Sequence, residues 1–245
     1  NILVRENGIK GIVIVLDNCH TSIIENDPTS AVACITAGAG AKLAALCAYA
    51  LKNGLKGLNF ALGIPGTVGG SIRVNAGARN GSMADVIDSI SVLLPQGSFR
   101  DLKKSALDFY YRGLDWPKDL ALEDGGDPII LEAALRLQRG DKGDLKKQAE
   151  QIMRQRKAQQ PWRDASAGCI FKNPEGEQSA GQLIDMAGLK GKSIGDAEVS
   201  SCHANFIINR GRATADDVLA LMDLVRSTVF QRYQIQLETE VKIVG

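Results

Sequence analysis

Cysteine is sparse in this chain and poorly placed for cross-linking. There are five, Cys19, Cys34, Cys47, Cys169 and Cys202, an odd number with no CxxC pair. Scattered spacing of this kind excludes a disulfide scaffold and any recognisable zinc-ligand set, so no metal site is expected. Cys202-His203 is the one Cys/His neighbour pair, and adjacent residues seldom form a ligand set alone; it reads as structural. The expected compartment is a reducing cytoplasm. Excess charge of one sign is also missing: 29 Lys and Arg against 28 Asp and Glu leave a formal +1. No single-sign field exists to draw nucleic acid or a membrane surface as a partner. No apolar run approaches the roughly 18 to 20 residues of a transmembrane helix. Internal repeats and low-complexity tracts are absent. The chain also has no initial Met and no lead-in before the strand-like Ile2-Leu3-Val4, so a fragment lacking its N-terminal part, without signal peptide, is expected.

What is present is the composition of a globular protein, 44% apolar and 23% charged over 245 residues, enough for one large or two modest domains. Ile12–Leu16 and Ala31–Ala37 read as strands. Over Ala41–Asn53 the spacing of Leu43, Leu46, Cys47 and Ala50 predicts a helix stopped by Gly54. Gly63–Gly81 reads as loop with short extended pieces, and Val86–Leu94 and Pro128–Leu137 as strands around a turn-rich middle. Asp141–Gly143 reads as a linker into a helix marked by Leu145, Ala149, Ile152, Met153 and Arg156. A short helix over Ser179–Ala187, a strand over Ala204–Asn209 and a helix from Thr214 with an imperfect capping box at Asp217 follow. Ile235–Val244 alternates, with Ile235, Leu237, Val241 and Ile243 opposite Glu238, Glu240 and Lys242. The pattern divides the chain at 1–140 and 141–245.

Three segments carry chemistry. Gly63-Ile64-Pro65-Gly66-Thr67-Val68-Gly69-Gly70-Ser71 has no Lys after Gly69 for a P-loop, and its spacing breaks the Rossmann fingerprint. Gly38-Ala39-Gly40 also fails, because Leu43 stands where the third glycine belongs. Small residues with accessible backbone N–H groups remain, suited to a phosphate or flat ring, or to a tight structural turn. Asn75-Ala76-Gly77-Ala78 strengthens the functional reading. Ser166-Ala167-Gly168-Cys169-Ile170-Phe171-Lys172-Asn173-Pro174 sets a thiol, an ammonium and a carboxamide within five residues. By residue type alone, Cys169 is equally a small buried hydrophobe and Arg112 a surface cation, while Glu238 and Glu240 share a face.

These segments resemble the UDP-N-acetylenolpyruvylglucosamine reductase (UDP-N-acetylmuramate dehydrogenase) family across essentially the whole chain. Gly63–Gly70 with Asn75–Ala78 resembles its flavin-binding motif and Phe109-Tyr110-Tyr111-Arg112 its active-site arginine segment. Ala167–Pro174 resembles its proton-donor motif, while Ser179–Ile184, Gly188–Gly191, His203–Ile207 and Glu240–Gly245 match its C-terminal domain in order. The short spacing from Arg112 to Cys169 resembles the compact subclass.

The resemblance implies an α+β fold. Residues 1–140 would be an FAD-binding domain of the vanillyl-alcohol-oxidase (PCMH-type) architecture lacking its N-terminal part, and 141–245 a smaller C-terminal α+β substrate domain. It implies NADPH reducing FAD, and reduced flavin then reducing the enol ether of the nucleotide-sugar substrate for peptidoglycan synthesis. Arg112 would stabilise the developing enolate, Cys169 would protonate the adjacent carbon and Glu240 would hold the enolate. Gly63, Ile64, Pro65, Gly66, Thr67, Gly69, Gly70, Asn75, Ala76 and Gly77 would bind FAD, and Tyr111, Lys172 and Asn173 the substrate. A monomer or weak oligomer is expected. Two departures stand out: Cys169 replaces the usual serine, and Gly113-Leu114 replaces a more polar pair. The competing readings are another oxidase of this architecture, or a non-catalytic nucleotide-sugar-binding module.

Overall fold

The structure, a computed structural model, describes residues 1–16, 22–25, 31–78, 80–120 and 126–245. Its first elements are β1 (Ile2–Val4), β2 (Ile23–Glu25), β3 (Val32–Gly38), α1 (Leu43–Lys52), β4 (Leu55–Lys56), α2 (Val68–Arg73), β5 (Gly77–Ala78), β6 (Gly81–Ser82) and α3 (Met83–Val86). Next come β7 (Ile87–Leu93), β8 (Phe99–Lys103), β9 (Asp108–Tyr110), β10 (Gly113–Asp115), β11 (Ile129–Arg139) and α4 (Lys142–Gln159). The chain continues through β12 (Ala165–Cys169), α5 (Ala180–Met186), β13 (Ser193–Ile194), β14 (Ala197–Val199), β15 (Phe206–Asn209), α6 (Ala215–Tyr233) and β16 (Lys242–Val244). It forms two compact units, Ile14–Arg154 and Asn1–Val13 with Gln155–Gly245.

In the unit Ile14–Arg154 an antiparallel sheet runs β2-β3-β11-β7-β8, with β4 also on β11. Alternation explains it: Ala33, Ile35 and Ala37 of β3 and Ala133, Leu135 and Leu137 of β11 turn into one core. Helix α1 adds Leu43, Leu46, Cys47 and Ala50 to that core, the stripe expected from the sequence, and Gly54 follows at φ 69°. Each fully buried leucine contributes roughly 1.5–3 kcal/mol.

In the second unit, β12-β15-β14-β13 form an antiparallel sheet, and β1 pairs with β16 in parallel, Leu3 opposite Ile243. Helix α6 begins with a complete capping box, Asp217 N–H to Thr214 Oγ1 at 3.1 Å and Thr214 N–H to Asp217 Oδ2 at 2.9 Å. Its Leu221, Met222, Val225 and Val229 enter a core shared with Leu183, Ile184, Ile207 and Val241.

Several expectations need correction. Ile12–Leu16 is no strand; Ile12 is 92% exposed, since an apolar β-branched run becomes a strand only beside a partner edge. Asp141–Gly143 is no linker: α4 starts at Lys142, and Asp141 just before it accepts the Asp144 N–H through Oδ1 at 2.8 Å. The glycine-rich stretch contains α2, started by Thr67. Only Lys242–Val244 of the last alternating run is strand, with Thr239 bridged separately to Phe171. Part of the turn-rich middle, residues 121–125, lies outside the described residues, as does Cys19.

Candidate functional site

The glycine loop is stitched to the chain leaving β3. Gly66 carbonyl accepts from Leu43 N–H at 3.0 Å, while Val68 and Gly69 N–H groups donate to Ala41 and Ala39 carbonyls at 2.8 and 2.9 Å. A Cβ on Gly69 would lie 2.7 Å from the Ala39 Cβ, so only glycine permits this approach. The outer edge is different. Pro65, Gly66 and Gly70 are exposed, and nothing lies within 4 Å of where a Cβ on Gly66 would stand, at φ 115°. The loop therefore presents backbone with no side chain in front of it, which fits the close approach of a flat ring or pyrophosphate.

In the same unit, β9 and β10 pair Tyr110 with Gly113, leaving Tyr111 and Arg112 as a two-residue loop. Arg112 sits in the left-handed region at φ 60°. Its Nη1 donates to the Gly77 carbonyl at 3.0 Å, and its guanidinium carbon lies 5.3 Å from the Tyr111 ring centroid. Gly113 has a local reason: a Cβ there would collide with the Tyr110 ring. Asn75, at φ 40°, is buried, with its amide bonded to Tyr110 and Ala84.

The second unit assembles Cys169, Lys172, Asn173 and Glu240. Ser166 and Cys169 of β12 face Ile208 and Phe206 of β15, so β12 carries one extra residue, a bulge with Gly168 at φ 80°. Bulges of this kind re-aim side chains at functional sites. Beyond the bulge the chain threads between two segments. Ile170 N–H donates to the Asn205 carbonyl at 2.9 Å, and the Ile170 carbonyl accepts from Glu240 N–H at 2.7 Å. Glu240 is thus fixed opposite the residue that follows Cys169. Lys172 Nζ lies 3.3 Å from Glu238 Oε2, which separates the two glutamates that the sequence pattern left equivalent. Asn173 Oδ1 accepts from Ala180 N–H at 3.1 Å, tying the motif to the start of α5.

Sequence reasoning missed Asn205. Its side chain is bonded to both backbone groups of Phe171, and a polar residue 4% exposed inside the apolar Ala204–Ile208 run was the available signal. His203 Nδ1 accepts from Asn205 N–H at 3.3 Å. Burial lowers the His203 pKa from its ordinary value, and Lys190 adds to the effect. Cys202 and His203 N–H groups both donate to Ser200 Oγ, a structural turn. Among the described residues no group of three or more His, Cys, Asp or Glu is placed to hold a metal ion. Nor is any helix there long and apolar enough to cross a membrane.

Residues 1–103 match the family model described as FAD binding domain, the part of the chain that contains the glycine loop. An α+β fold with that domain defines the class, an FAD-dependent oxidoreductase. Residues 160–244 match the model for the UDP-N-acetylenolpyruvoylglucosamine reductase C-terminal domain. Over its full length the chain is 46% identical to the UDP-N-acetylenolpyruvoylglucosamine reductase of Desulfosudis oleivorans, covering 78% of that protein. It is 41% identical, again over its full length, to that of Halalkalibacterium halodurans, covering 77%. The crystal structure of the Thermus caldophilus enzyme superposes with a TM-score of 0.74 at 37% identity, covering 89% of this chain and 74% of that one. The chain belongs to the UDP-N-acetylenolpyruvoylglucosamine reductase family.

Proposed function

We propose that this protein reduces UDP-N-acetylenolpyruvylglucosamine to UDP-N-acetylmuramate with NADPH as reductant, a step in peptidoglycan precursor synthesis. The observation that carries the reading is the bulge that delivers Cys169 beside Ile170, whose carbonyl holds the Glu240 backbone at 2.7 Å. When bound, FAD supplies a two-electron carrier that accepts hydride from NADPH and passes it to the alkene carbon. The exposed edge at Gly66 fits that group, and Gly63–Gly70 with Ala76 and Gly77 would hold it.

The protein's own residues do the rest. Hydride addition to an alkene carboxylate leaves negative charge delocalised onto the carboxylate, and the Arg112 fork matches that group bidentately. Cys169 Sγ–H gives its proton to the neighbouring carbon, the general-acid role a positioned thiol can fill. Glu240 would hold the enolate, its carboxyl O–H donating to an enolate oxygen as charge develops. Lys172 and Asn173 bind the substrate's phosphates or carboxylate, Lys172 exchanging Glu238 for the ligand, and Tyr111 offers a half-exposed ring beside Arg112. Flavin binding is assigned to 1–140 and substrate binding to 141–245. The compartment of this reading is a reducing cytoplasm, as the scattered cysteine spacing implies. The enzyme would act as a monomer or weak oligomer.

Anaerobic mixing tests it. NADPH should bleach the flavin absorbance and the enolpyruvyl nucleotide should then restore it. A reduced flavin that ignores the nucleotide and recovers rapidly only with dioxygen would overturn the assignment in favour of an oxidase.

A further inference from the structure

We propose that Asn75 is a positioning residue for Arg112, its side chain serving the arginine loop rather than the cofactor. The inference rests on the role given to Arg112 above. Helix α2 ends with two closing bonds, Asn75 N–H to Ile72 carbonyl at 2.9 Å and Ala76 N–H to Ser71 carbonyl at 2.7 Å. That ending places Asn75 at φ 40°, a position that glycine fills most easily. A side chain is retained there, and both ends of its amide are used. Nδ2 donates to the Tyr110 carbonyl at 3.0 Å, and Oδ1 accepts from Ala84 N–H at 3.0 Å.

Tyr110 is the last residue of β9, so its carbonyl is the entry to the loop carrying Arg112. The exit strand is held as well, because Arg73 Nη1 in the last turn of α2 donates to the Leu114 carbonyl at 2.9 Å. The guanidinium is tethered to Gly77, two residues after Asn75. The α2 end therefore grips the arginine hairpin on both strands and at the side-chain tip. A non-glycine residue in the left-handed region persists where its surroundings impose it, and here Asn75 and Arg112 both occupy that region, the Asn75 amide holding the Tyr110 carbonyl two residues before Arg112.

The test uses Asn75→Gly, which keeps the left-handed turn but deletes both amide bonds, and Asn75→Asp, which keeps an acceptor for Ala84 and turns an oxygen toward the Tyr110 carbonyl. In FAD-loaded protein, both variants should be reduced by NADPH within about twofold of the parent. Reoxidation by the enolpyruvyl nucleotide should slow about 10- to 100-fold, the scale of a misplaced catalytic group. In an Arg112→Met background, Asn75→Gly should add less than about twofold, since the two act as a unit. Amide hydrogen exchange at Tyr111 and Arg112 should accelerate about tenfold in Asn75→Gly. Parental reoxidation, an additive loss in the double variant, or equal loss in both half-reactions with release of FAD would each overturn the inference. If Asn75→Gly does not fold, the same readouts on Asn75→Asp decide. If the parent itself fails to reduce the nucleotide, the proposed function falls, while unchanged exchange at Tyr111 and Arg112 still overturns this inference and faster exchange supports it.

Discussion

The side-chain amide of Asn205 pairs with both backbone groups of Phe171, accepting from its N–H at 3.0 Å and donating to its C=O at 2.8 Å. Phe171 and Ile170 are each 2% exposed, so water cannot replace these bonds. Asn205→Ala leaves two buried backbone groups unsatisfied and should cost about 2–4 kcal/mol of unfolding free energy. Asn205→Asp keeps the acceptor, loses the donor and should destabilise at least as much. Chemical denaturation reads both; a loss below about 1 kcal/mol for the alanine would show that the pair is not a clamp.

Cys169 tests the proton-donor assignment. Cys169→Ser should retain substantial activity, because a hydroxyl can stand in the same place as a weaker acid. Cys169→Ala should lose about 10²–10⁴ in nucleotide reduction while accepting hydride from NADPH at a near-parental rate. Alkylation should reproduce the alanine pattern, with substrate protecting the thiol. An alanine variant that turns over like the parent would reduce Cys169 to a packing residue.

The two glutamates should now behave differently. Glu240→Gln and Arg112→Met should each slow flavin reoxidation by about 10²–10³ and spare flavin reduction. Glu238 is exposed and paired only with Lys172 among the contacts described, so Glu238→Gln should be near neutral, changing stability by less than about 1 kcal/mol. Lys172→Met should act mainly on KM for the nucleotide. Stopped-flow measurement of the separate half-reactions distinguishes these outcomes, and equal loss in both from Glu240→Gln would point to damaged folding.

His203 gives a pH signature in stability. Burial disfavours its imidazolium, so the unfolded chain takes up the proton at higher pH than the native protein. The associated stability is complete above the ordinary value of 6.5 and declines as pH falls through it toward the lower native value. Glu198 is lowered from 4.5 mainly by its hydrogen bond to Arg210, so its contribution is lost in a separate, more acidic window. Thermal melts between about pH 7.5 and 5 should show a slope in the parent that flattens in His203→Gln. An unchanged slope would place its origin elsewhere.

Gly69→Ala probes the foundation of the glycine loop. The added methyl would meet the Ala39 Cβ at 2.7 Å, with the Ala39 Cα and carbonyl oxygen at 3.3 Å, and backbone cannot swing aside as a long side chain would. A destabilisation of about 1–3 kcal/mol is expected, together with weaker FAD retention in gel filtration. Parental melting and full FAD retention would show that the loop tolerates the shift.

Periodicity and end signals sufficed for α1, α5 and α6, whose buried stripes and caps lie within a few turns of one another. The same holds for β3, β7 and β11, where alternation marks the core face. Chemistry was legible as residue types in order, with the glycine loop, the Arg112 hairpin and the Cys169 motif all present in the chain itself. Partners were not. Ile2 pairs with Lys242, Phe171 bridges Thr239, and Asn75 reaches Tyr110. Each of these joins segments distant along the chain, and alternation says which face of a strand is buried but not which edge will meet it. Hence Ile12–Leu16, apolar enough for a strand, is none, and Glu238 and Glu240, equivalent by pattern, separate only when Lys172 arrives beside one of them. Local sequence determined the elements and the chemical groups, whereas long-range backbone pairing decided which groups are held and by what.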